Sequence, residues 1–107
     1  GTAAMDFMTA ALHKAHPDVA HAFTLADGAV AARSGIPSAL TFPWVPDRAS
    51  VAARRGRLAL IEEVLGSCTI VAPDEATRAG LARWLGVDAP VVRHPGDVAA
   101  LHRELAA

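Results

Sequence analysis

Short apolar runs alternate with alanine-rich helical segments along the chain, and this alternation limits the possible folds more than any other feature. Four runs have the length and composition of buried strands, at residues 18–23, 38–42, 67–72 and 89–94. A helical segment follows each run, and another, at 2–15, precedes the first. Parallel strands joined by crossover helices produce this pattern. The sequence therefore predicts an α/β fold, a Rossmann-like doubly wound layer with a short parallel sheet of about four strands.

The helical segments carry signals at their ends. We expect helices at 25–35, 49–65, 73–86 and 97–105. A glycine closes each of the first three, Gly35, Gly66 and Gly86, as is common where a helix ends. Asp74 is the expected N-cap of the third helix, and either Asp47 or Ser50 that of the second.

Composition excludes several classes of protein. A chain of 107 residues with 52% hydrophobic content is enough for one domain with a core, and we treat 1–107 as a single partial Rossmann-like domain. A net charge of −1 argues against a nucleic-acid partner, because phosphate binding needs a basic surface. No apolar run approaches a membrane span and no secretory leader is visible, so we expect a cytoplasmic protein. The single cysteine, Cys68, lies in an apolar run and is interpreted as a core residue.

The fold predicts where a ligand binds. In open α/β sheets, ligands bind outside the carboxyl ends of the strands, where the strand order reverses. The loops concerned are residues 23–26, 43–49, 72–74 and 93–97, and the helices after them present free N–H groups suited to phosphate or carboxylate. Trp44 lies in one of these loops. Two roles stay open for it, stacking on a flat or sugar-like ligand and filling the corner between strand and helix.

Local catalytic motifs do not narrow the function further. The chain contains no G-x-G-x-x-G, Walker, G-x-S-x-G or C-x-x-C motif. Glu62 and Glu63 are adjacent on a predicted helix and cannot face each other as an acid/base pair. Motifs alone therefore indicate an α/β ligand-binding domain.

Five segments in order nevertheless resemble one enzyme family. They lie within HPDVAHAF, GIPSALTFPWVPDR and LALIEEVLGSCTIVAPDEATRAGLARWLGVDAPVVRHPG. The stretch resembles the second half of the N-terminal domain of bacterial retaining, nucleotide-sugar-dependent glycosyltransferases of GT-B architecture, family-4-like. That family shows P-D-V-(V/I)-H-A-H, then G-(I/V)-P-x-V-x-T-x-H-G, then a long helix, then A-D-x-(V/I)-(V/I)-A-x-S-E and finally P-P-G-V-D. The resemblance covers residues 16–97 and lies in the order and spacing of the segments, since no single motif is diagnostic.

The chain departs from the family pattern at several positions. Phe23 stands where the family has the second histidine of H-A-H, so that only His21 is retained. Pro43 replaces a histidine that reaches the acceptor or the reacting sugar in several members. Asp74 and Glu75 stand for the S-E pair, and the exit motif is shortened to RHPGD. These departures put an acceptor-side catalytic histidine in doubt, and we assign no catalytic residue.

The resemblance implies a function for a larger enzyme. This chain would supply the acceptor side of a transfer from a nucleotide sugar to a sugar or small-molecule acceptor. It would be inactive without the C-terminal donor-binding domain, and neither a metal nor a cofactor is implied. The residues assigned to acceptor binding stand at the strand carboxyl ends: His21, Thr24, Thr41, Trp44, Asp47, Arg48 and Asp74.

A second hypothesis is a stand-alone α/β binding or interaction module without catalysis. A short sheet leaves an unpaired edge strand, and exposed edges pair readily with other chains. A homodimer formed through that edge is the expected partner arrangement in this case.

Overall fold

The computed structural model describes residues 3–5, 7–8, 11 and 17–107, with the backbone alone at position 55. Within these residues the sheet has three parallel strands, β1 (Ala20–Ala22), β2 (Ser38–Thr41) and β3 (Thr69–Val71), in the order β1-β2-β3. The predicted α/β class with a parallel sheet is confirmed. The prediction of about four strands was wrong by one.

The missing strand is reduced to one bridge, between Ala72 and Val91. The amide of Ala72 donates to the Pro90 carbonyl at 2.9 Å, and the amide of Val92 donates to the Ala72 carbonyl at 2.8 Å. Pro90 has no N–H to contribute, and Pro95 begins the next helix. The segment therefore leaves the sheet after a single pairing.

Helices follow each strand in the described part of the chain. They are α1 (Leu25–Arg33), α2 (Arg48–Ala53), α3 (Leu58–Ser67), α4 (Glu75–Gly80) and α5 (Pro95–Ala106), with a 3₁₀ turn at Arg55–Arg57 and a π-helical turn at Leu81–Leu85. Residues 3–5, 7–8 and 11 are also helical. The remainder of the helix predicted at 2–15 lies outside the described residues.

The helix predicted at 49–65 is divided into α2 and α3. The backbone leaves helical geometry at Arg54 (φ −102°, ψ 20°) and again at Arg57 (φ −115°, ψ 13°), on either side of Gly56. Glycine favours such a break because it loses the most conformational freedom inside a helix. Periodicity alone did not reveal the interruption, since the apolar positions continue across it.

Most of the predicted helix ends are confirmed. Asp47 caps α2, with its carboxylate accepting from the Ser50 amide and the Ser50 hydroxyl accepting from the Asp47 amide. Gly35 and Gly86 have φ values of 71° and 66°, the left-handed conformation that suits glycine. Gly66 was wrongly expected to end its helix, because α3 continues through Ser67.

Alternating strand residues divide the core between the two faces of the sheet. Leu40 and Ile70 pack on one face with residues of α1, α3 and the π-helical turn. Ala39 and Val71 point to the opposite face, where they pack with Leu101 of α5. Helices therefore cover both faces. The order of the described strands follows the sequence, so the predicted reversal of strand order is not found among them, although the strands still share one carboxyl edge.

No helix in the described ranges is both long and apolar enough to cross a lipid bilayer.

The loop after β2 is held by a close contact with α4. Pro46 is less than 2% exposed, and it lies directly against Gly80. A Cβ atom at position 80 would overlap the Pro46 carbonyl oxygen and would come within 2.9 Å of its Cδ. Both neighbours are parts of a rigid proline, so neither can move aside as a flexible side chain would. The absence of a side chain at Gly80 is therefore what allows the loop to dock.

We predict that Gly80→Ala destabilises the protein. The backbone at Gly80 is ordinary helix (φ −64°, ψ −42°), so the effect is purely steric. Overpacking of this kind costs about 1–3 kcal/mol, and urea denaturation should show a loss of unfolding free energy of that size. Gly66→Ala is the matched control, because α3 leaves open space there and alanine should stabilise the helix by about 0.5–1 kcal/mol. Equal stabilities of the two variants would contradict the steric role of Gly80.

Candidate functional site

A chain of three polar side chains joins β1, β2 and α5. The Nε2 atom of His21 lies 2.7 Å from the hydroxyl oxygen of Thr41, and its Nδ1 atom lies 2.9 Å from Nε2 of His102. Register explains the first contact: His21 pairs with Ala39, so Thr41, two residues further along β2, points to the same face. α5 packs on that face through Leu101 and so brings His102 to His21.

Phe23 covers the ring of His21. The two rings are parallel within 3°, with centroids 4.6 Å apart, while His102 meets His21 edge-on with centroids 5.1 Å apart. Phe23 is itself 62% exposed. Phe23 thus forms one wall of the group around His21.

Burial and charge both favour neutral His21. Removal from water lowers the pKa of His21, and the nearby His102 lowers it further. A neutral imidazole has one donor and one acceptor nitrogen. The two hydrogen bonds can therefore point in either direction, with the Thr41 hydroxyl donating to His21 and His21 to His102, or the reverse. If both histidines were doubly protonated, two N–H donors would face each other and their hydrogen bond would be lost.

Three other predicted site residues cap helices. The Thr24 hydroxyl accepts from the Asp27 amide at the start of α1, Asp47 caps α2, and the Asp74 carboxylate accepts from the Thr77 amide at 2.8 Å. Hydrogen bonds from the Thr77 backbone and side chain lower the pKa of Asp74. These oxygens lie at the predicted edge of the sheet, and each already serves its own helix.

Trp44 and Arg48 belong to the segment that follows β2. The half-buried indole of Trp44 contacts Phe42, with ring centroids 4.4 Å apart, and the Arg54 guanidinium lies 4.1 Å from the ring centre. The Nε1 atom of Trp44 is buried and has no hydrogen-bond partner in the described structure. These contacts favour the corner-filling role of Trp44 over ligand stacking. Arg48 is exposed as the first residue of α2.

The structure thus brings two of the predicted residues, His21 and Thr41, into direct contact and spreads the others along the same edge. It adds Phe23 and His102, to which the sequence assigned no binding role. His102 stands 81 positions from His21, and no local pattern links the two. Within the described ranges, no group of three or more histidine, cysteine or acidic residues is arranged to hold a metal ion.

No protein-family model, no curated protein and no solved structure matches this chain. Its function has to be inferred from the residues and their geometry.

We predict that the protein loses stability between pH 7.5 and pH 5. The folded-state pKa of His21 lies below the ordinary value of 6.5, so the unfolded chain binds a proton more readily. The contribution of neutral His21 is therefore complete above about pH 6.5 and is lost as the pH falls through the folded-state pKa. Urea denaturation across this range measures the effect, and NMR titration of the imidazole protons measures the pKa directly.

His102→Gln should reduce this pH dependence without abolishing it. Glutamine removes the second positive charge, whereas the burial of His21, the larger cause of the lowered pKa, remains. His94→Gln is the control, because His94 is exposed and its side chain does not cap α5. A His21 pKa at or above 6.5, or equal pH dependence in both variants, would contradict the assigned role of the histidine pair.

Proposed function

We propose that this chain forms the acceptor side of a retaining, nucleotide-sugar-dependent glycosyltransferase of GT-B architecture. In this proposal it is part of a Rossmann-like domain and requires a separate donor-binding domain for activity. The observation that carries the proposal is the contact between His21 and Thr41 at the carboxyl edge of a parallel sheet. Both residues were assigned to acceptor binding from the sequence because they stand at strand carboxyl ends, and they meet at the edge where ligands bind in such folds.

The pair is chemically suited to hold a sugar hydroxyl. When the Thr41 hydroxyl donates to His21, its oxygen can still accept a hydrogen bond from an acceptor hydroxyl. When His21 donates instead, the Thr41 proton is free to be donated to an acceptor oxygen. The Thr41 hydroxyl can therefore either accept a hydrogen bond from the ligand or donate one to it. The group orients an acceptor without needing to become charged.

The proposal assigns positioning to these residues, and no proton transfer. Pro43 occupies the place of the family's acceptor-side histidine, so His21 and Thr41 would orient the acceptor rather than act as a catalytic base. Orienting the two reactants and stabilising the leaving diphosphate account for catalysis in such a mechanism. The first turn of α1, where Thr24 caps a nine-residue helix, supplies N–H groups at the same edge. The nucleotide sugar would be held mainly by the donor-binding domain.

We expect the isolated chain to bind simple sugars weakly at this edge. Methyl α-D-glucopyranoside, titrated into ¹⁵N-labelled protein, should shift the amide resonances of residues 21–25 and of the non-proline residues of 41–48. Thr41→Val keeps the shape of the side chain but removes the hydroxyl, and loss of one hydrogen bond should weaken binding about two- to tenfold. UDP, the donor-side probe, should cause smaller shifts.

Thr69→Val is the matched control for the sugar titration. Thr69 also belongs to a strand, but it is exposed at the opposite, amino end of β3, so the variant should bind like the wild type. The proposal fails if the glucoside leaves residues 21–25 and 41–48 unmoved up to its solubility limit. It fails equally if the two valine variants weaken binding to the same extent.

A second candidate is a non-catalytic interaction module that associates through β1. Among the described residues β1 pairs with β2 and with no other strand. Ala20 donates to the Pro37 carbonyl, and in a parallel ladder alternate residues face alternate sides. The N–H and C=O of His21 therefore lie on the outer edge, where another chain can pair.

Sedimentation over a series of protein concentrations tests this candidate. A dimer formed by edge pairing should appear as the concentration rises, and hydrogen exchange of the His21 amide should slow in parallel. The amide of Gly56, in the turn between α2 and α3, is the internal control and should exchange at a constant rate. A monomer at every concentration would exclude self-pairing at β1.

A further inference from the structure

An open cavity of about 530 Å³ lies beside β1 and α1. Ala20 and Ala22 contribute one wall, Val30 and Ala31 a second, and Phe7 and Met8 a third. A volume of this size suits a small molecule. Phe7 and Met8 are 76% and 43% exposed, so a ligand can enter past them without disturbing the core.

Two polar residues, His21 and Asp27, also line the cavity. Both ring nitrogens of His21 are already engaged, one by Thr41 and one by His102. The backbone amide of Asp27 donates to the Thr24 hydroxyl, but its carboxylate has no hydrogen bond or ion pair with any residue in the described ranges. Among the described residues that line the cavity, the Asp27 carboxylate is therefore the polar side-chain group that is free to meet a ligand.

The acidic side chain of Asp27 lies at the amino end of α1. Asp27 is the third residue of α1, where the positive end of the helix favours a negative side chain. Since no cationic residue lines the cavity among the described residues, the site combines apolar walls with one negative charge. Part of that charge is offset by the helix, so the attraction for a cation is moderate.

We propose that this cavity binds a small primary amine with an apolar body, such as an arylalkyl or alkyl ammonium ion. The body would lie against Ala22, Val30 and Met8, and the ammonium group would meet the Asp27 carboxylate. An apolar body alone would be accepted by the walls, while the charge distinguishes a cation from an anion of the same shape. This inference goes beyond the glycosyltransferase proposal and does not depend on it.

Three matched probes test the inference by NMR titration of the full 107-residue chain. They are 2-phenylethylamine, 2-phenylethanol and 3-phenylpropionate, which share a phenyl group on a short chain and differ in charge. Each probe that binds should shift the amide resonances of Ala20, Ala22, Val30 and Ala31. An exposed ion pair contributes little, so we expect the amine to bind about two- to fivefold more tightly than the alcohol, and the acid to bind most weakly.

Asp27→Asn should remove the preference for the amine while the alcohol still binds, which shows that the cavity remains intact. Asp97→Asn is the matched control, because Asp97 is the third residue of α5 just as Asp27 is the third residue of α1. This variant should bind the three probes in the same order of affinity as the wild type. The proposal is overturned if no probe binds or if all three bind equally. It is also overturned if the shifts map elsewhere or if Asp27→Asn retains the preference for the amine.

Discussion

The parallel pairing of β2 with both of its neighbours is the interaction on which the rest of this structure depends. Ala39 and Leu40 are fully buried and point to opposite faces of the sheet. Leu40 contributes to the core shared with α1 and α3, and Ala39 contributes to the core beneath α5. One short strand therefore holds two hydrophobic cores in register. A shift by one residue would exchange these faces and bury Thr41 against the helices of the first core.

The same register creates the candidate site. Because His21 pairs with Ala39, the side chain of Thr41 lies diagonally across from it, and a hydrogen bond of 2.7 Å joins the two. The chain then leaves the sheet through Phe42 and Trp44, which pack on each other. Pro46 then docks against Gly80, and the polypeptide continues from there into α2. The stiff loop after β2, which contains Pro43, Trp44 and Pro46, is thus anchored at both ends.

His21 links the chemistry of the edge to the stability of the fold. Its two ring nitrogens tie β1 to β2 and to α5, so a change in its protonation acts on the contact between sheet and helix. The same imidazole also lines the cavity beside β1. This one imidazole therefore contacts the sheet edge, α5 and the cavity at the same time. That shared position follows from geometry, whichever of the proposed functions holds.

Local chemistry determined the features that the amino-acid sequence predicted correctly. All of these features depend on residues within a few positions of each other. They are the cap Asp74, the α2 cap, for which the sequence left Asp47 and Ser50 open, the left-handed glycines Gly35 and Gly86, and the positions of three strands. The α/β class follows from their alternation. The prediction of a fourth strand was wrong because Pro90 and Pro95 limit pairing to one bridge. The prediction of one long helix was wrong because the apolar periodicity continues across the break at Gly56.

The site could be predicted only in part, for a related reason. His21 and Thr41 were recognisable because both stand near strand ends, which a parallel sheet gathers at one edge. The contact with His102 and the stacking of Phe23 were not, because the first joins residues 81 positions apart and the second requires knowledge of the ring orientation. The cavity beside β1, with Asp27 at its margin, likewise exists only once helices and sheet are packed. Helix caps, turns and strand positions are determined by neighbouring residues and can be predicted from the sequence. Contacts between distant elements depend on register and packing, which the tertiary structure alone decides.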